Sequence, residues 1–114
     1  MNSSRIPVAF YRSQAGAEPV REWLQALSKA DRHLIGTDIL RVQEQWPIGM
    51  PVCRALGKGL WEVRSSLTGN RIARVLFTFD GSRVVILHGF IKKTRKTPMD
   101  DLGLARRRMK GVMR

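Results

Sequence analysis

Only one cysteine, Cys53, occurs among the 114 residues, so no disulfide can form within the chain. A lone thiol suits a reducing compartment. His33 and His88 are the only histidines, and two isolated imidazoles with one thiol make no zinc set. No run of ~20 apolar residues is present to cross a bilayer. The first twenty residues lack the apolar core of a secretion signal. A cytoplasmic protein with no membrane partner is therefore expected. No repeat or low-complexity tract breaks the chain, and its length suits a single domain over 1–114. Hydrophobic residues make up 43%, enough for a core and too many for a disordered chain.

Acidic residues are scarce as well: 9 Asp+Glu stand against 21 Lys+Arg, a net charge of +12. The imbalance is uneven. Residues 1–53 hold six cations and five anions, a net +1; residues 54–114 hold fifteen cations and four anions, a net +11. Such a one-sided field attracts polyphosphates, RNA or DNA, and also suits an acidic protein partner.

Hydrophobic periodicity sets out the elements. Arg5 to Tyr11 reads as a first strand. Glu18 and Pro19 open a helix whose Val20, Trp23, Leu24 and Leu27 form one stripe. Ser28 with Asp31 caps a second helix, in which Ile35, Ile39, Val42 and Trp46 share a face before Pro47 ends it. Residues 47–59, with two prolines and three glycines, are expected to be loop. Leu60–Leu67, Arg71–Phe79 and Arg83–Ile91 read as strands joined by turns at Thr68-Gly69-Asn70 and Asp80-Gly81. The continuous run Val84-Val85-Ile86-Leu87 marks a central strand. Thr97-Pro98-Met99-Asp100 has the form of a helix start, with Thr97 as cap. Leu102, Ala105, Met109 and Val112 then form the apolar stripe of a last helix whose remaining surface is basic. The expected fold is α+β, in the order βααβββα, with a small, mostly antiparallel sheet and helices packed on one face.

Three blocks carry a likeness. Gly59-Leu60-Trp61-Glu62-Val63-Arg64, Arg71-Ile72-Ala73-Arg74, and Leu87-His88-Gly89-Phe90-Ile91-Lys92-Lys93-Thr94 followed by Lys96-Thr97-Pro98 resemble the phage-derived, HigB-like branch of the RelE/ParE toxin superfamily. The resemblance spans residues from about 5 to 110. It implies the toxin of a type II toxin–antitoxin system, an endoribonuclease that cuts mRNA, ribosome-bound in this family, with no metal or other cofactor. It also implies a cognate antitoxin, a helix-turn-helix protein encoded beside it. The family's working residues carry over in part: Arg64 matches a basic strand position, Arg71 an arginine opening the next strand, and Lys92 and Lys93 a basic pair closing the last. Glu62 departs from the pattern, and the C-terminal helix lacks the tyrosine that some members carry.

Metal-free cleavage uses the adjacent 2′-hydroxyl as nucleophile, so the site must remove its proton, steady charge on phosphorus and protonate the leaving 5′ oxygen. Arg64, Arg71, Lys92 and Lys93 offer donors that match phosphate oxygens. A lysine among other cations is a better proton carrier than an arginine. Lys58, Arg74, Arg95 and Lys96 are the expected RNA-binding cations. Lys58 lies in Gly57-Lys58-Gly59, whose flexibility and charge would suit a loop admitting RNA. His88 can carry a proton near neutral pH. Its place after four apolar residues favours a buried ring satisfied by one hydrogen bond. Asp100 and Asp101 are expected to complement the helix dipole, and Trp61 to anchor the core. Two other readings stay open: a ParE-like inhibitor of DNA gyrase on the same fold, and a non-catalytic phage remnant that binds nucleic acid.

Overall fold

The computed structural model describes residues 5–92 and 97–112. Its elements are β1 (Val8–Phe10), α1 (Pro19–Ala26), α2 (Lys29–Gln45), β2 (Cys53–Gly57), β3 (Leu60–Ser66), β4 (Ile72–Phe79), β5 (Val84–Lys92) and α3 (Met99–Val112), with a 3-10 turn at Thr68–Asn70. The α+β class is as expected. One five-stranded sheet has the order β1-β5-β4-β3-β2. All neighbours are antiparallel except β1, which runs parallel to β5.

The local signals explain most of these bounds. Pro19 takes the first turn of α1. The Ser28 hydroxyl accepts the Asp31 N–H and caps α2. Asp80 closes the β4–β5 hairpin: its carboxylate accepts the N–H groups of Ser82 and Arg83, while Gly81 takes φ 98°. That geometry costs glycine little and other residues more.

Two expectations are corrected. Residues 47–59 are not all loop, because Cys53–Gly57 form β2 on the outer edge of β3. Five residues flanked by proline and glycine carry too weak a periodic signal to read as a strand. Pairing with β3 supplies what propensity does not. The Gly57-Lys58-Gly59 segment is the hairpin turn, with all three residues at positive φ.

The helices also do not share one face. The α1–α2 pair covers one side, where Val20, Ile35 and Val42 pack on Val63, Ala73, Val75, Phe77, Val84 and Ile86. The α3 helix covers the other, with Ala105, Leu102, Met109 and Val112 over Leu60, Leu76, Val85 and Leu87. Ala73, Val75, Phe77, Val84 and Ile86 are apolar on one side and Leu76, Val85 and Leu87 on the other, so both sides need cover. Each fully buried leucine contributes roughly 2 kcal/mol. Among the described residues no helix is long and apolar enough to cross a membrane.

Candidate nucleic-acid interface

The side of the sheet under α3 is polar at one end, and strand register places each group. Arg64 pairs across to Arg74, and Arg74 to Phe90. One step along, Glu62 lies opposite Leu76, and Leu76 opposite His88. One step the other way, Ile72 lies opposite Lys92. Because side chains alternate along a strand, Glu62, Arg64, Arg74, His88 and Lys92 all project on the α3 side.

Below the surface lies an ion pair. Arg74 and Glu62 are both fully buried, and Arg74 donates to Glu62 Oε2 at 2.9 Å. The Thr97 hydroxyl donates to Glu62 Oε1. Glu62 therefore clamps β3, β4 and the segment leading into α3. Thr97, expected as a helix cap, spends its hydroxyl on this strut. Arg74, expected to bind RNA, is instead 0% exposed and structural. Its burial follows from β4, the inner strand whose two sides are both covered.

Above that pair, His88 Nε2 lies 2.6 Å from Asp101 Oδ1 in the first turn of α3. Asp101 Oδ2 also holds the Lys92 ammonium at 3.7 Å. His88 has the satisfying hydrogen bond expected of it and stacks on Phe90, ring centroids 5.5 Å apart. Asp101 is the residue sequence reasoning missed. Its place in a first helical turn suggested dipole complementation alone, but helical periodicity also turns it toward the strand carrying His88 and Lys92.

Arg64, half-buried on β3, has no side-chain partner among the described residues. Lys92 is half-exposed. The two stand two strand spacings apart across the sheet (~10 Å) and two residues apart along it (~7 Å), about 12 Å between their Cα positions. Long side chains from both can reach one phosphate.

Arg71 does not join them. It is extended (φ −92°, ψ 148°) and has the parity of Ala73 and Val75, so it turns toward α2. There it forms a two-pronged pair with Asp31, Nη1 to Oδ2 at 2.8 Å and Nη2 to Oδ1 at 2.9 Å. The guanidinium holds the Asp31 carboxyl below the usual carboxylate range, against the opposing effect of burial. Lys58 is exposed on the β2–β3 turn at the opposite end of the sheet, so it is not gathered into the cluster either. Lys93, Arg95 and Lys96 lie outside the described residues.

The arginines of α3 divide their work. Arg106 donates to the carbonyls of Leu56 and Gly57, pinning the β2–β3 turn. Arg108 donates to the Leu87 carbonyl and lies 5.1 Å from the Tyr11 ring centroid. Burial draws its pKa below the ordinary arginine value. Arg107 and Lys110 remain exposed. Among the described residues no group of three or more His, Cys, Asp and Glu side chains is placed to hold a metal ion.

A sheet backed by a helical hairpin, with a cationic end beside its C-terminal helix, defines a small basic α+β protein. Residues 22–110 match the family described as Phage derived protein Gp49-like (DUF891), and the chain belongs to that family. A search of curated proteins finds no match.

Proposed function

We propose that this chain is the toxin of a type II toxin–antitoxin system, of the HigB-like branch of the RelE/ParE superfamily, and that it cuts mRNA. The observation that carries the reading is the juxtaposition of Arg64 and Lys92 on one side of the sheet, next to the His88–Asp101 pair. Membership of a phage-derived family and the +11 charge of the second half support it. In this reading the RNA backbone lies across β3–β5. Arg64 and Lys92 donate to the phosphate oxygens, where charge grows as the 2′-hydroxyl attacks phosphorus and the 5′ oxygen departs. The products are a 2′,3′-cyclic phosphate and a 5′-hydroxyl. Asp101 positions the Lys92 ammonium, and the Glu62–Arg74 pair keeps the strands beneath in register. Lys93 is a further donor or proton carrier in the same scheme, with Arg95 and Lys96 as backbone contacts. The partner that silences the toxin is a cognate antitoxin encoded beside it, and the target is mRNA on the ribosome.

Inducing the protein in cells and mapping RNA 5′ ends tests this directly. The expected result is growth arrest with new 5′-hydroxyl ends in mRNA, relieved by co-expressing the neighbouring gene product. Arrest with DNA breakage and no new RNA ends would instead identify a gyrase inhibitor. RNA binding with neither effect would identify a non-catalytic binder.

A further inference from the structure

A second feature lies away from the cationic cluster, at the outer edge of β1. Among the described residues this strand pairs only with the first residues of β5, Val84 to Ile86, at the end opposite Lys92. The Pro7 carbonyl accepts from Val84 N–H, and Tyr11 N–H donates to the Ile86 carbonyl. Backbone groups alternate sides along a strand, so residues 7, 9 and 11 face β5 while Val8 and Phe10 face outward. Pro7, the one residue here without an N–H, is on the inward parity and does not blunt the outer edge.

That edge is not flat against solvent. A groove of about 580 Å³ runs beside it, lined by the consecutive residues Val8 to Arg12 and by Val112 of α3. It continues into a hollow of about 490 Å³ that shares Tyr11, Arg12 and Val112. The groove is lined by Arg12, Arg21 and Arg83 and by the Glu18 carboxylate, and Arg83 is also paired with Asp80 beside the groove at 3.0 Å. Glu18 is held by Arg12 and Arg21 together, and these guanidiniums keep its carboxyl below the usual range.

We propose that the β1 edge is a docking site for an extended, acidic segment of a protein partner, which adds to the sheet as a sixth strand. Strand addition satisfies the outward N–H and C=O groups of Val8 and Phe10, which a helix cannot do. Apolar residues at alternate positions of the added strand lie beside Val8 and Phe10 on the α1 side, and the acidic residues between them project on the α3 side, beside Val112, in the field of a chain of charge +12. A second copy of this chain is the poorer occupant: edge-to-edge pairing would bring six arginines together between two molecules of charge +12. The site is separate from the proposed RNA surface and stands whether or not the protein cuts RNA.

The test uses the full chain and two ten-residue peptides: alternating valine and glutamate, and the same peptide with two valines replaced by proline. The charges are equal, but only the first can form a strand. At saturation with the first peptide, hydrogen exchange at the Val8 and Phe10 amides should slow by at least about tenfold. The proline peptide should bind at least about tenfold more weakly. The surface variant R12E/R83E should weaken the first peptide by a similar factor. Equal binding of the two peptides, or unchanged exchange at Val8 and Phe10 under saturation, overturns the proposal. So does a peptide-free dimer by sedimentation in which those same amides are already protected, which would make the occupant a second copy.

Discussion

His88 on β5 and Asp101 in the first turn of α3 meet at 2.6 Å, and through Asp101 the histidine is linked to Lys92. One short contact thus fixes the last helix to the sheet and steers a cation at the edge of the candidate interface. Replacing Asp101 by asparagine should loosen both. The expected loss is about 1–3 kcal/mol for a hydrogen bond to a charged group in a half-buried place. Chemical denaturation would measure it. Exchange protection should fall first in α3, because β4 and β5 keep their own ladder.

Arg64 and Arg71 should separate cleanly. Arg64→Ala should change the melting temperature little, since the half-buried Arg64 has no side-chain partner among the described residues to lose. It should weaken RNA binding, and under the proposed function lower single-turnover cleavage on the order of 10²-fold. Arg71→Ala should do the reverse, lowering the melting temperature through loss of the Asp31 pair while RNA affinity at fixed salt changes little. A result with the roles exchanged would relocate the site to the α2 side.

Glu62→Ala should be the most damaging single change in the polar cluster. It leaves Arg74 charged inside the protein, which costs on the order of 3–5 kcal/mol. Replacing both together, Glu62→Leu with Arg74→Met, should recover much of that loss, because two apolar side chains need no partner. Urea unfolding of the single and double variants gives the comparison. A single variant as stable as the parent would show that the pair is not essential.

Acid should weaken the fold in a defined direction. The folded-state pKa of Asp31 is lowered by Arg71, and that of Asp80 by the N–H groups of Ser82 and Arg83. A lowered carboxyl pKa contributes stability above the unfolded value, near ~4, and that contribution is lost as pH falls through the folded value. Melting temperature should therefore drop below about pH 4. Asp31→Asn should start lower at neutral pH and fall less steeply on acidification.

Gly89 should not tolerate alanine. A Cβ built there falls on the indole of Trp23, 2.7 Å from Cε3. The indole is braced between α1 and β5, so the strain should cost about 1–3 kcal/mol. A melting curve equal to the parent's would mean that α1 moves away freely.

Much of this molecule could be read from periodicity and turn chemistry. The stripes Val20–Leu27 and Ile35–Trp46, the cap at Ser28, the Asp80-Gly81 hairpin and the stripe on α3 all hold, because each depends on residues within a few positions of one another. The charge imbalance belongs to composition alone. Some misplaced features still had a signal. Arg71 has the parity of Val75, an arithmetic that puts it beside α2. The unbroken run Val84 to Leu87 requires cover on both sides of the sheet, so one helical layer was never enough. Other features had none. Cys53–Gly57 becomes a strand only because β3 offers it an edge, and Arg74 becomes a buried strut only because Glu62 lies diagonally across the neighbouring strand. Asp101 reaches His88 thirteen residues earlier only because α3 folds back over β5. Register and burial depend on which distant segments come together, and the free energy of those contacts exceeds any preference of the local chain.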